Sequence, residues 1–341
     1  MAAYISFQPS DYFSTVLYTG NQPADNAITG VGFSPNFVWV KNRDATTANV
    51  LFDTVRGVGK SLYSNTTGTE VTDAAGMKSF DADGFTVGDW SQPNTNGDDY
   101  VSWNWKAGTT SGLSGGTITP AAYSINTTSG FGIYQRVGTA TAGTIAHGLG
   151  AVPKFIIHKG MTWSSNWRCY HVDVGNDKCL NLNETGAAET NTMWNDTTPT
   201  DTVYSTGSNN DGNKSGESII EYVFTEKTGF SKFGKYQGNG NADGAFIYTG
   251  FKPTWLLIRR TDSEDNWTIN DYKRLGYNAD NNELFANLNN AEDSNDVVDL
   301  LSNGFKLRHT AGRHNTEGAD YVYAAFGQTM VGTNNVPATA R

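Results

Sequence analysis

Charge is scarce in this chain: Asp, Glu, Lys and Arg make up 17% of 341 residues, and cysteine stops at two, Cys169 and Cys179. Each shortage excludes something. Two cysteines ten residues apart make no disulfide framework. They read as small, partly buried thiols, with pairing across neighbouring strands as the alternative. No run of about 18 apolar residues exists, so no membrane-spanning helix is expected. The opening MAAYISFQPSDYF has neither a basic nor an apolar region and does not read as a secretory signal. Bases are outnumbered 24 to 34, giving a net charge of −10. A phosphate backbone or an anionic membrane surface would be repelled, so neither nucleic acid nor membrane insertion is expected. A nucleophile elbow, a phosphate-cradling Gly-Lys loop and a zinc signature are all missing. No catalytic residue, cofactor or metal is therefore assigned, and the chain is not expected to be an enzyme.

Turn and strand formers are plentiful. There are 38 Gly and 12% aromatics, Asn and Thr abound, and helix-filling residues are sparse. This composition predicts an all-β protein with many turns. The length predicts two or three domains, at roughly 100–200 residues each.

Three segments share one skeleton. A glycine at Gly20, Gly138 and Gly238 is followed fifteen residues later by Pro35, Pro153 and Pro253. Three residues before each proline is Gly32, Gly150 or Gly250, and two after it is Phe37, Phe155 or Trp255. A base follows at Lys41, Lys159 and Arg259, an acid at Asp53, Asp173 and Asp271, a glycine at Gly57, Gly175 and Gly276, and an asparagine at Asn65, Asn183 and Asn287. Each copy closes on a Tyr-Val strand at Tyr100-Val101, Tyr222-Val223 and Tyr321-Val322. The proline opens a strand. The unbroken apolar run after it suits a strand buried on both faces, and the base is read as the point where that strand reaches solvent. The prediction is three tandem antiparallel β-sandwich modules, jelly-roll-like, at 13–107, 122–228 and 229–330. A 1–12 arm precedes them, 108–121 (GTTSGLSGGTITPA) is read as a flexible linker, and 331–341 is a tail. A short helix is placed within 283–301.

Copy one carries GFSPNFVWVKNR, DTVRG, SLYSN, SFDADGFTVG and YVSWNWKAG. In these motifs it resembles a family of repeat domains in phages, many from marine bacteria; copies two and three keep only the skeleton. The resemblance implies a virion structural protein, a tail fibre or fibre-like tail appendage serving assembly and host attachment. It would be made in the bacterial cytoplasm and located in the virion, with no enzymatic residues. Analogy with fibres implies a homotrimer contacting other virion proteins. The alternatives are a head-decoration or collar protein, and a module binding a host surface glycan. A glycan hydrolase using a carboxylate pair is a further alternative, against which counts the lack of the short-period repeats of a β-helical tailspike.

For glycan binding, the candidates are Trp90, Trp163, Trp167, Trp194 and Trp267, which sit in polar stretches where aromatic faces would stack on sugar rings. The alternative for all five is packing against a neighbouring module or protomer. His309 and His314 read as metal ligands or as surface residues at a turn, and Asp81–Gly84 and Asn209–Asn213 as calcium-loop fragments or ordinary turns. Asp53 and Arg56 read as an ion pair at a structural corner.

Overall fold

The computed structural model describes residues 7–274, 282–310 and 312–329. Almost every element is a strand, and all named strand pairs are antiparallel. The strands form three large sheets and three small ones. The first large sheet runs in the order Phe13–Thr19, Asp99–Trp105, Phe37–Asn42, Val50–Asp53, Lys60–Tyr63, Val71–Thr72. In the second, Ala122–Asn126 and Phe131–Val137 precede Ser218–Thr225, Pro153–Gly160, Arg168–His171, Lys178–Asn181 and Glu189–Thr190. The third is Ser231–Gln237, Asp320–Thr329, Phe251–Arg260, Thr268–Asp271 and Leu284–Phe285. Their registers correspond: Phe37 lies opposite Trp105 and Asp53, Phe155 opposite Phe224 and His171, and Trp255 opposite Phe326 and Asp271.

Each large sheet carries a small one on its outer face. These are Asn26–Thr29, Gly84–Val87 and Met77–Asp81; Gly143–Ala146 with Val203–Thr206; and Phe246–Tyr248, Gly304–Leu307 and Val298–Leu301. Each pair of layers encloses a private core, such as Ile28, Val38, Val40, Phe52, Phe85 and Tyr100 in the first module. The all-β sandwich expectation holds at this level.

The inner faces of the large sheets meet. Phe37, Trp103, Trp105, Phe155, Phe224, Trp255, Phe326 and their neighbours form one core drawn from all three modules. At its centre the register-equivalent rings of Trp105, Phe224 and Phe326 make a triangle with centroid separations of 6.4, 5.6 and 5.7 Å. The molecule is thus a pseudo-three-fold block and not a string of beads. This explains the unbroken apolar runs: alternate side chains of one strand serve two cores, Phe37 and Trp39 the shared one, Val38 and Val40 the private one. Burying both faces of three sheets is what a chain of this length gains over isolated repeats.

The anchors acquire physical reasons. A Cβ on Gly20, Gly138 or Gly238 would lie 2.0, 2.1 or 2.2 Å from the carbonyl oxygen of Thr95, Lys214 or Thr316. That carbonyl belongs to an Asn-x-x-Gly turn the repeat reading missed: Asn94–Gly97, Asn213–Gly216 and Asn315–Gly318. Each asparagine is fully buried. Its Oδ1 accepts from the backbone N–H of Asn21, Thr139 or Asn239, and its Nδ2 donates to a carbonyl of the same loop, Ala24, Thr141 or Asn241. The closing glycines have φ of 85°, 76° and 73°, a conformation that favours glycine. Pro153 and Pro253 sit where the register shifts beside Phe155 and Trp255, at a bulge where the missing N–H costs no ladder bond.

Four expectations are corrected. Residues 108–121 are not a free linker: Leu113 and Ile118 pack into the private core of module 2, and Gly116 and Ile118 bridge to Ile145. They cover the side of the small sheet that has only two strands, which apolar side chains make favourable. The stretch 283–301 holds the strands Leu284–Phe285 and Val298–Leu301, not a helix. The equivalent of Asp53 in module 2 is His171 and not Asp173. The equivalent of Trp103 is Tyr222 and that of Tyr100 is Ile219, so the Tyr222-Val223 match is three residues out of register. Of the 1–12 arm, Pro9–Asp11 form a 3-10 turn, and Phe7 and Tyr12 pack on the shared core. Residues 1–6, Gly276 and the 331–341 tail lie outside the described residues.

Candidate functional site: the three seams

Where two modules meet, the same residues are used three times in one cyclic sense. In the first two rows module 1 donates to module 3, module 2 to module 1, and module 3 to module 2; the backbone row runs the opposite way.

The repeated base supplies the first row. It does not mark the strand's exit to solvent, because Lys41, Lys159 and Arg259 are each 0% exposed. Lys41 Nζ donates to Thr47 O at 2.9 Å and across the seam to Asn289 O at 3.2 Å. Lys159 Nζ donates to Ser165 O at 2.6 Å and across to Thr67 O at 3.0 Å. Arg259 donates to Asp265 O, and across to Thr185 O at 2.5 Å and to Gly186 O. A buried donor with several carbonyl partners satisfies loop ends that would otherwise be orphaned. Burial pushes Lys41 down to about 7, Lys159 to about 8 and Arg259 to about 10.

Asn49, Trp167 and Trp267 form the second row. Asn49 Nδ2 donates to Phe285 O at 3.0 Å, Trp167 Nε1 to Tyr63 O at 2.8 Å and Trp267 Nε1 to Asn181 O at 2.8 Å. The repeated asparagines Asn65, Asn183 and Asn287 hold these three residues, each accepting from the backbone N–H with its Oδ1. A third row is pure backbone: Glu70 N–H to Met161 O at 2.8 Å, Ala188 to Thr261 at 2.9 Å, and Glu292 to Arg43 at 2.8 Å.

The fourth row carries the chemistry. Asp53 Oδ2 accepts from Tyr222 Oη at 2.8 Å and from Arg56 Nε at 2.5 Å. Asp271 Oδ2 accepts from Trp103 Nε1 at 3.0 Å and Arg274 Nε at 2.7 Å. Arg56 also donates to Leu51 O and Arg274 to Ile269 O, so the two corners are superimposable in their bonding. The Asp53–Arg56 pair read from sequence is therefore a corner lock that also grips the next module. Burial opposes the Arg56 charge, but Asp53, with Tyr222 and Glu70, outweighs it and holds the guanidinium above its usual value. Burial, with the Asp53 charge, pushes the Tyr222 hydroxyl well up. In module 2 the pair is absent: His171 and Val174 replace Asp and Arg. His171 Nε2 faces Tyr323 O at 3.1 Å and its Nδ1 accepts from the Asp173 N–H, a pattern that a neutral ring satisfies. Burial pushes His171 down to about 4.

Module 2 departs in its private core as well. Arg136, Glu221, His158 and Tyr204 are each at most 1% exposed. Glu221 accepts from Arg136 Nε at 3.0 Å and from Tyr204 Oη at 2.5 Å, with His158 Nδ1 at 2.9 Å. By register the same places hold Tyr18, Ser102, Val40 and Phe85 in module 1. Burial would raise Glu221, but Arg136 and His158 hold it far below the usual carboxylate range. The cluster is sealed from solvent and neutralised internally, as a buried charge must be.

The predicted binding tryptophans are all engaged in packing. Trp167, Trp194 and Trp267 are buried at 0, 3 and 2% exposure, the first and last at seams and Trp194 against Tyr170. Trp90 is half-buried against Phe52 and Tyr63. Trp163 lies on the Gly160 backbone with the Lys214 ammonium 5.6 Å above its ring. The reading as sugar platforms is corrected for Trp167, Trp194 and Trp267, whose rings are buried, while Trp90 and Trp163 stay partly exposed. His314 is fully buried with Nε2 2.8 Å from Glu283 Oε1. Asp83 accepts from the Gly30 and Gly32 N–H groups, and Asp211 pairs with Arg168, so both calcium-like fragments spend their carboxylates within the fold. Cys169 lies in the shared core and Cys179 in the private core of module 2, on opposite faces of one sheet; both are free.

A family model described as Domain of unknown function (DUF7483) matches residues 8–329. The chain belongs to that family. The match takes in all three modules, so the DUF7483 unit corresponds to the whole closed block and not to one repeat. No curated protein and no solved structure matches the chain.

Proposed function

We propose that this chain is a non-catalytic virion structural protein, a fibre-like tail appendage that serves assembly and host attachment. The observation that carries the proposal is how the polar chemistry is spent. The buried cations, the Asp–Arg corners and the seam tryptophans all lock three modules into one block, which suits a load-bearing part. The resemblance of copy one to phage repeat domains supplies the setting. A homotrimer of such blocks belongs to the proposal and would form through outer surfaces, because the inner faces are consumed within one chain. Other virion proteins are the proposed neighbours.

Quantitative mass spectrometry of purified particles tests this reading, counting the chain against the major capsid protein. A few to some tens of copies support a tail appendage. Hundreds of copies make it a head-decoration or collar protein, and absence from the particle ends the structural reading.

A further inference from the structure

The small sheet of module 3 differs from its counterparts in what it shows to solvent. On the edge strand Phe246–Tyr248, Ile247 points inward while Phe246 and Tyr248 are 46% and 54% exposed. By register the corresponding residues are Ala27 and Thr29 in module 1, and Thr144 and Ala146 in module 2. The fold therefore does not require aromatics here. Tyr248 lies opposite Gly304 and Phe246 opposite Lys306, with Leu301 and Asp299 on the next strand. A Cβ on Gly304 would lie 2.8 Å from Phe246 Cζ, so the far end of the ring reaches over the bare glycine while nearly half of Phe246 stays exposed. Around the rings, Asp243 pairs with Lys306 at 2.7 Å and Arg308 at 3.1 Å, and Arg308 with Asp299 at 2.8 Å. Two cations and two carboxylates balance, and Asp243 and Arg308 side chains are 75% and 43% exposed.

We propose that this face of module 3 binds a neutral polysaccharide. Sugar rings stack on Phe246 and Tyr248, and hydroxyls exchange hydrogen bonds with Asp243 and Arg308. Aromatic faces with a polar rim suit a ligand that is apolar on its ring faces and polar at its edges. The balanced rim offers no net charge to a charged ligand, and the net −10 of the chain repels polyanions. Two rings fall far short of the roughly 800 Å² per partner of a stable protein interface. The site does not depend on the virion reading, since it concerns the isolated chain.

The test is affinity electrophoresis of the full chain in native gels cast with dextran, galactomannan or xyloglucan, with alginate as the charged comparison. At least one neutral polysaccharide should retard the wild type and the exposed-surface control Leu17→Ala. Apparent affinity should fall about tenfold or more in Phe246→Ala/Tyr248→Ala. It should also fall in Asp243→Asn, which leaves the rings intact, while thermal midpoints stay put. Equal retardation of both variants, retardation by alginate alone, or none in any neutral gel overturns the proposal.

Discussion

Replacing Trp267 by alanine tests whether three modules share one core. Trp267 is 2% exposed, donates its indole N–H to the Asn181 carbonyl of module 2, and lies 5.7 Å below the Arg259 guanidinium. Emptying a buried tryptophan site costs about 3–5 kcal/mol. Leaving the Asn181 carbonyl without its donor adds roughly 1 kcal/mol. The total is about 5 kcal/mol. With about 2.1 cal/mol/K of unfolding entropy per residue, this chain's midpoint should fall by roughly 7 °C. Calorimetry and urea unfolding, followed by tryptophan fluorescence and far-ultraviolet circular dichroism, measure it. A shared core predicts one transition for the wild type and one, displaced as a whole, for the variant. Independent modules would give separate transitions with only one of them moved, and that result would refute the shared-core reasoning. Trp163→Ala, at a half-buried ring, should cost under about 1 kcal/mol by comparison.

Two further outcomes follow from the seams and anchors. His171 sits at about 4 when folded against an ordinary 6.5, so the unfolded chain binds more protons between those values. Stability is thus complete above about 6.5, falls as pH drops to 4, and loses about 3 kcal/mol through this residue. His147 and His158 are also lowered by burial and add to the slope. Urea midpoints at pH 7, 5.5 and 4.5 should show a shallower decline in His171→Gln, and an unchanged slope would exclude His171 as a source. Gly138→Ala places a methyl 2.1 Å from the Lys214 carbonyl oxygen and should cost about 2–4 kcal/mol. A thermal midpoint within a degree of wild type would contradict that.

The repeat was legible because its anchors answer to hard constraints. Gly20, Gly138 and Gly238 tolerate no Cβ, and the prolines sit where no N–H is needed, so both survive where surrounding residues differ. The apolar strand runs were legible as doubly buried for the same reason. What they were buried against was not, since a second sandwich layer and a neighbouring module demand the same hydrophobicity. Lys41, Lys159 and Arg259 misled because a base at a strand's end ordinarily meets water, and only the fold reveals the loop carbonyls waiting there. Trp167 and Trp267 misled in the opposite direction. Each ends a run of polar, at least partly exposed loop residues, Ser164–Asn166 and Asp262–Asn266, and its indole turns inward just where the chain enters a buried strand. The Asn-x-x-Gly turns were visible in sequence, and the signal was present in Gly97, Gly216 and Gly318 at one fixed spacing. They passed unnoticed in a chain where Asn and Gly are common everywhere.

The cyclic direction of the seams has one more consequence. Module 1 grips module 3 through the same rows of contacts by which module 2 grips module 1, although the first two are farthest apart along the chain. Pro9–Asp11 packs beside the last strand, Asp320–Thr329. A ring closed this way has no privileged first segment. Its covalent order is one of three equivalent ways to thread the same object, and a chain opened at a module boundary and rejoined near its present ends would describe the same solid.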